Sequence, residues 1–129
     1  MAKYHIERRK CRRFEIPGGE VKYKKIGLFS FQKDFSEACP VVNVSMGGLS
    51  FVCDGRFGRG KKVVVQLLVP KEKPLHLYGR VRWQGQWAGN STFRVTDVEF
   101  MPFGTRRGCN PLEALNVLRR LDAHYDKEG

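Results

Sequence analysis

Val41-Val42-Asn43-Val44-Ser45-Met46-Gly47-Gly48-Leu49-Ser50-Phe51-Val52-Cys53 is the stretch that decides the fold of this 129-residue chain. β-Branched and apolar residues flank a break at Met46-Gly47-Gly48. Two short runs of that kind around a glycine-bearing turn read as a β-hairpin. Downstream, Lys62 to Val69 is an apolar run of strand length closed by Pro70. Leu75, Leu77, Val81 and Trp83 then alternate with His76, Tyr78, Arg80 and Arg82, the period of a half-buried strand. Phe93 and Val95 share one face, whereas Val98 and Phe100 share the other. The phase slip at Thr96-Asp97 predicts a β-bulge in that strand.

Upstream, Phe14 to Lys25 carries a weaker strand pattern broken by Pro17-Gly18-Gly19, and Gly27 to Glu37 reads as a loop. At the other end the period changes. Asn110, Pro111 and Glu113 form a helix start with a capping-box pattern. Leu112, Leu115, Leu118 and Leu121, with Ala114, Val117 and Tyr125, recur at helical spacing. A helix is expected over about 110–126, its apolar stripe packed on the sheet. Five or six short antiparallel strands followed by one helix indicate a mainly β protein, a small barrel with a helix against it. The single domain spans 14–129, and residues 1–13 are too charged to join a core and read as a flexible basic arm.

Charge narrows the partners. Lys and Arg number 24 against 13 Asp and Glu, for a net charge of +11. Such a surface attracts phosphates, nucleic acid, acidic proteins or anionic lipid heads. No apolar run is long enough to span a bilayer, and the N-terminus lacks the apolar stretch of a secretory signal. Cys11, Cys39, Cys53 and Cys109 show no metal-ligand spacing, so reduced thiols in a cytoplasmic protein are expected. No paired carboxylates, nucleophile–base spacing or Walker loop is present, so the chain reads as a non-enzyme without cofactor or metal. Gly55-Arg56-Phe57-Gly58-Arg59-Gly60 lacks the Lys-Ser/Thr ending of a phosphate loop and reads as a turn. His5, His76 and His124 lie in separate segments and read as surface residues.

Two segments carry chemistry. Glu7-Arg8-Arg9-Lys10-Cys11-Arg12-Arg13-Phe14 holds four arginines in six positions. A guanidinium is planar and always charged, and its fork of donors suits a phosphate or the O6/N7 edge of guanine. It also stacks on a base. Asn43-Val44-Ser45-Met46-Gly47-Gly48 places an amide and a hydroxyl two apart on a strand, on one face. Its glycines let a ligand approach the backbone closely.

Together these segments resemble the PilZ family, whose signature is Arg-x-x-x-Arg followed some 20–30 residues later by Asp/Asn-x-Ser-x-x-Gly. Here Arg9 to Arg13 supplies the first part and Asn43 to Gly48 the second, thirty positions after Arg13. Arg8 with Arg12 fits the bare spacing equally well. Arg9 with Arg13 matches the family's Arg-Arg-x-x-x-Arg before an apolar residue, here Phe14. The resemblance implies a six-stranded antiparallel β-barrel with a C-terminal α-helix. It implies a receptor for cyclic di-GMP, a bacterial second messenger, that acts on a protein partner when its arginine arm closes over the ligand. By position, Arg9 and Arg13 grip guanines and phosphates, Asn43 and Ser45 hydrogen-bond the ligand, Gly48 completes the turn, and Arg8 adds a contact. Arg12, Gly47 and Trp83 are further candidates; Trp83 otherwise packs in the core. The rival readings are an OB-like barrel binding nucleic acid and a PilZ-like adaptor that binds no ligand.

Overall fold

The computed structural model describes residues 3–4, 12–27 and 34–126. Lys3–Tyr4 is a two-residue strand, β1. The following strands are β2 (Glu20–Lys25), β3 (Cys39–Val44), β4 (Gly48–Cys53), β5 (Lys62–Leu68), β6 (Leu75–Trp87), β7 (Asn90–Phe100) and β8 (Phe103–Gly104), before the helix α1 (Leu112–Tyr125). Six of them close an antiparallel barrel in the order β2-β3-β4-β7-β6-β5, with β5 pairing back to β2; β1 pairs with β8 outside it. Closure removes the strand edges that six short strands leave open.

Alternation explains which residues fill the barrel. Val21 and Tyr23 of β2, Leu49, Phe51 and Cys53 of β4, Val63, Val65 and Leu67 of β5, and Val98 of β7 form the core. Each fully buried Leu, Val or Phe contributes about 1.5–3 kcal/mol. Helix α1 buries Ala114, Leu115, Leu118 and Leu121, the helical stripe read from the sequence. Glu72, in the β5–β6 turn, accepts two 3.0 Å bonds from Arg120 of the helix, which hold its carboxyl below the usual range.

The structure revises three local readings. The bulge lies in β6, between Val81 and Trp83, while β7 pairs with β4 without a break through Thr96 and Asp97. Apolar Phe93 and Val95 on the outer face of a regular strand caused the apparent slip. The bulge turns Trp83 outward, 53% exposed, so it does not pack in the core; β6 then runs on to Trp87. The two-residue turn Ala88-Gly89 has φ of 50° and 73°, the left-handed pair that suits hairpin twist.

Asn110, finally, makes no capping bond: Pro111 occupies the N-cap position without a side-chain cap. The Asn110 amide is instead fully buried. Its Oδ1 accepts from Tyr78 N at 2.7 Å, and its Nδ2 donates to Tyr78 O at 2.9 Å and Met101 O at 3.0 Å. A primary amide matches the donor and acceptor of a peptide group, so the barrel's backbone outcompetes the helix for it. His76 and His124 are exposed, as expected.

Candidate functional site

The site begins where the chain enters the barrel. Phe14 pairs with Val44 through two backbone bonds, Phe14 N to Val44 O at 2.8 Å and Val44 N to Phe14 O at 2.9 Å. Phe14 and Val44 are both buried, which fixes the backbone on either side of them. One residue before this clamp stands Arg13; one residue before Val44 stands Asn43. The clamp therefore brings the two sequence motifs together.

Arg13 lies across three strands. Its Nη1 donates to Asn43 Oδ1 at 2.6 Å and, more weakly, to Ser50 Oγ at 3.4 Å. Its Nη2 donates to Asp97 Oδ1 at 3.3 Å, and Ser50 Oγ donates to the same oxygen at 2.9 Å. Strand register explains the row: Asn43 of β3 pairs with Ser50 of β4, Ser50 with Asp97 of β7, and Asp97 with Trp83 of β6. Cross-strand partners share a face and lie side by side. Asp97 is only 2% exposed. A carboxylate so buried requires a cation and hydrogen-bond donors nearby, and Arg13 and Ser50 supply both. Of the five N–H groups of a guanidinium, two of Arg13's make none of these bonds.

Arg12 turns the other way. Its Nη2 donates to Asp122 Oδ1 at 2.9 Å and its Nη1 pairs with Asp126 Oδ2 at 2.8 Å, both from the end of α1. The Asp122 hydrogen bond, with the charges of Asp122 and Asp126, raises its pKa further. Between the diverging arginines opens a cleft of about 470 Å³ lined by Arg12, Arg13, Phe14, Asn43, Tyr125 and Asp126.

The other motif residues shape the turn. Ser45 is 1% exposed; its Oγ accepts from Gly47 N at 3.0 Å, and its N donates to Gly48 O at 2.8 Å. The Ser45 hydroxyl is thus held inside the turn, one strand-step from Asn43 but not beside it. A Cβ at Gly48 would lie 2.2 Å from Val98 O, so only glycine permits β4 to approach β7 there. Arg8 and Arg9 lie outside the described residues.

Sequence reasoning did not single out Ser50 or Asp97, nor the helix acids Asp122 and Asp126. Ser50 interrupts an otherwise apolar strand. Among the described residues no group of three His, Cys, Asp or Glu is placed to hold a metal, and no helix is long and apolar enough to cross a membrane.

Residues 7–112 match the model of the PilZ domain family. No curated protein matches the chain. Among solved structures, the fold is similar to that of the Bacillus subtilis inhibitor of motility MotI/DgrA, with a TM-score of 0.65 and 16% sequence identity. The likeness covers 98% of this chain but 56% of that one, so this chain spans little more than half its neighbour's length.

Proposed function

Because the chain belongs to the PilZ domain family, we propose that it is a receptor for cyclic di-GMP that passes ligand occupancy to a protein partner. The single observation that carries this reading is Arg13, held by Asn43 and Asp97 at the rim of the cleft with donors left over. Cyclic di-GMP presents two phosphates and two guanines. A guanidinium already oriented by the barrel meets a guanine edge or a phosphate with little further ordering cost.

Each candidate then takes a role from its place. Arg13 is the anchoring cation. Asn43 orients it and offers its amide to the ligand. Ser45, Gly47 and Gly48 set the turn, the first by its bond to Gly47 N and the last by its close approach to β7. Trp83, exposed at the end of the same cross-strand row, offers a face on which a base stacks. Arg9, with Arg8 beside it, closes over the ligand from the arm. Arg12 is engaged by the helix and acts through it.

Three or four contacts of about 1–3 kcal/mol each, less the cost of ordering the arm, correspond to about micromolar affinity. The fold neighbour is an inhibitor of motility, which makes motility the first process in which to seek an output. The test is calorimetric titration with cyclic di-GMP, using GTP and cyclic GMP as controls, on the wild type and Arg13→Ala. Selective binding lost in the variant supports the receptor. A folded wild type that binds none of the three is an adaptor without a ligand.

A further inference from the structure

The long hairpin of β6 and β7 outruns the barrel that holds it. Pairing of β5 with β6 ends at Lys62↔Arg80, followed only by Val81 N to Lys61 O and Gly60 N to Val81 O. Pairing of β4 with β7 ends at Cys53↔Arg94. Beyond those points Arg82–Trp87 and Asn90–Phe93 form a two-stranded ribbon. Among the described residues, the outer edge of its β6 strand has no backbone partner. Its regularly paired stretch, residues 83–86, extends about 13 Å. The edge carries no proline; register shifts at Val81/Trp83 and Gln86/Trp87 bound its regular stretch, and Gln84 ties the turn at Gly55 and Phe57 to it.

The ribbon is also apolar on its surface. Trp83, Trp87 and Phe93 are 53%, 42% and 43% exposed, three of the four exposed large hydrophobics among the described residues. Trp83 and Gly85 face outward opposite Asp97 and Val95, and Phe93 shares the face of Val95. A Cβ at Gly85 would sit 3.5 Å from Cζ3 of Trp83, so the indole lies over the glycine and flattens the face. The charge around this face is one-sided. On its outer side Arg80 is exposed and stands opposite exposed Lys62 of β5. The acids of the hairpin, Asp97 and Glu99, are already paired with Arg13 and Arg82.

From these features we propose that the outer edge of β6 from Arg82 to Trp87 is a docking site for an extended, acidic segment of a partner protein, added as a further strand. Main-chain bonds to the open edge give affinity, alternate apolar side chains meet the aromatic face, and carboxylates answer Arg80 and Lys62 at its base. A second copy of this chain is disfavoured by its own charge of +11. The inference does not depend on the nucleotide reading.

The test is amide hydrogen exchange over residues 82–87 of the full chain. The probe is an extended peptide of sequence Glu-Val-Glu-Phe-Glu-Val-Glu with blocked ends, its lysine-for-glutamate counterpart serving as control. The expected result is about fivefold or greater slowing of exchange with the glutamate peptide only. Its binding weakens about tenfold in a Trp87→Ser/Phe93→Ser variant, whose unchanged melting temperature shows that it still folds. Absence of slowing, or equal slowing by both peptides, overturns the proposal. So does protection by phosphatidylglycerol vesicles in place of the peptide, or protection that rises with the chain's own concentration.

Discussion

Arg13 Nη1 donates to Asn43 Oδ1 across 2.6 Å, although the two residues stand thirty positions apart. The contact joins the last arginine of the arm to the first polar residue of the strand motif, and buried Asp97 holds the far side of the same guanidinium.

Asp97 is therefore expected to matter for both stability and affinity. Asp97→Asn keeps the shape and removes the charge that holds Arg13. The expected cost is about 1.5–3 kcal/mol of unfolding free energy, the range for hydrogen bonds involving charged groups. Urea denaturation measures it, and calorimetry with cyclic di-GMP is expected to show about tenfold weaker binding. Unchanged affinity would show that Arg13 needs no such support.

Gly48→Ala tests a structural role for a motif residue. The added methyl meets Val98 O, a backbone atom that moves only with β7. Overpacking of this kind costs about 1–3 kcal/mol or more. Thermal melts should show a lowered midpoint, with β4 and β7 amides losing protection first.

Asn110 supplies three hydrogen bonds at zero exposure. Asn110→Ala is expected to cost about 2–4 kcal/mol, the sum of bonds near 1 kcal/mol and the penalty for orphaned backbone groups. Asn110→Asp should be worse at neutral pH, because a carboxylate faces two carbonyl oxygens. Its stability should rise as pH falls, since the protonated acid donates to one of them. A pH series of denaturation curves on both variants separates these outcomes.

Tyr23 gives the fold a limit on the alkaline side. Burial, followed by the proximity of Cys53 and Cys39, pushes its phenol from 10.0 up to about 12. Between those values the unfolded chain has lost the proton and the folded one keeps it. Stability is thus complete below about pH 10 and declines as pH rises toward 12. Cys39, pushed up to about 11 chiefly by burial, adds loss of the same sign from about pH 9. Tyr23→Phe keeps the ring and should flatten the slope above pH 10 in denaturation curves.

Trp83→Ala should leave the melting temperature nearly unchanged, because an exposed side chain away from a core costs within about 0.5 kcal/mol. If the indole stacks on a base, affinity for cyclic di-GMP falls and its fluorescence in the wild type responds to the ligand.

Much of the architecture was legible from local pattern. The β3–β4 hairpin, the β5 run and the α1 stripe depend on neighbours in sequence, and each stands where its residues indicated. What escaped depends on partners far along the chain. Nothing near Asn110 distinguishes a capping amide from one that mimics a peptide for Tyr78, since Tyr78 is 32 positions away. A bulge in β6 is written in its mismatch with β7, so Trp83 shares the alternation of Leu77 and Val81 yet faces outward. The site divides in the same manner. Arg13 and Asn43 belong to motifs, which single them out in the sequence, and the structure brings the two together. Ser50 and Asp97 became site residues only through register across three strands.

Arg12 and Arg13 are adjacent, yet one is tied to the helix end and the other to the barrel wall. The Arg12–Asp122 bond spans 110 positions. During synthesis on a ribosome, the β3–β4 hairpin and Arg13 exist long before that bond can form. The cleft gains its helix-side wall of Tyr125 and Asp126 only when the helix has been made and packed. A domain built in this order completes the wall of its candidate site last, when the whole domain has folded.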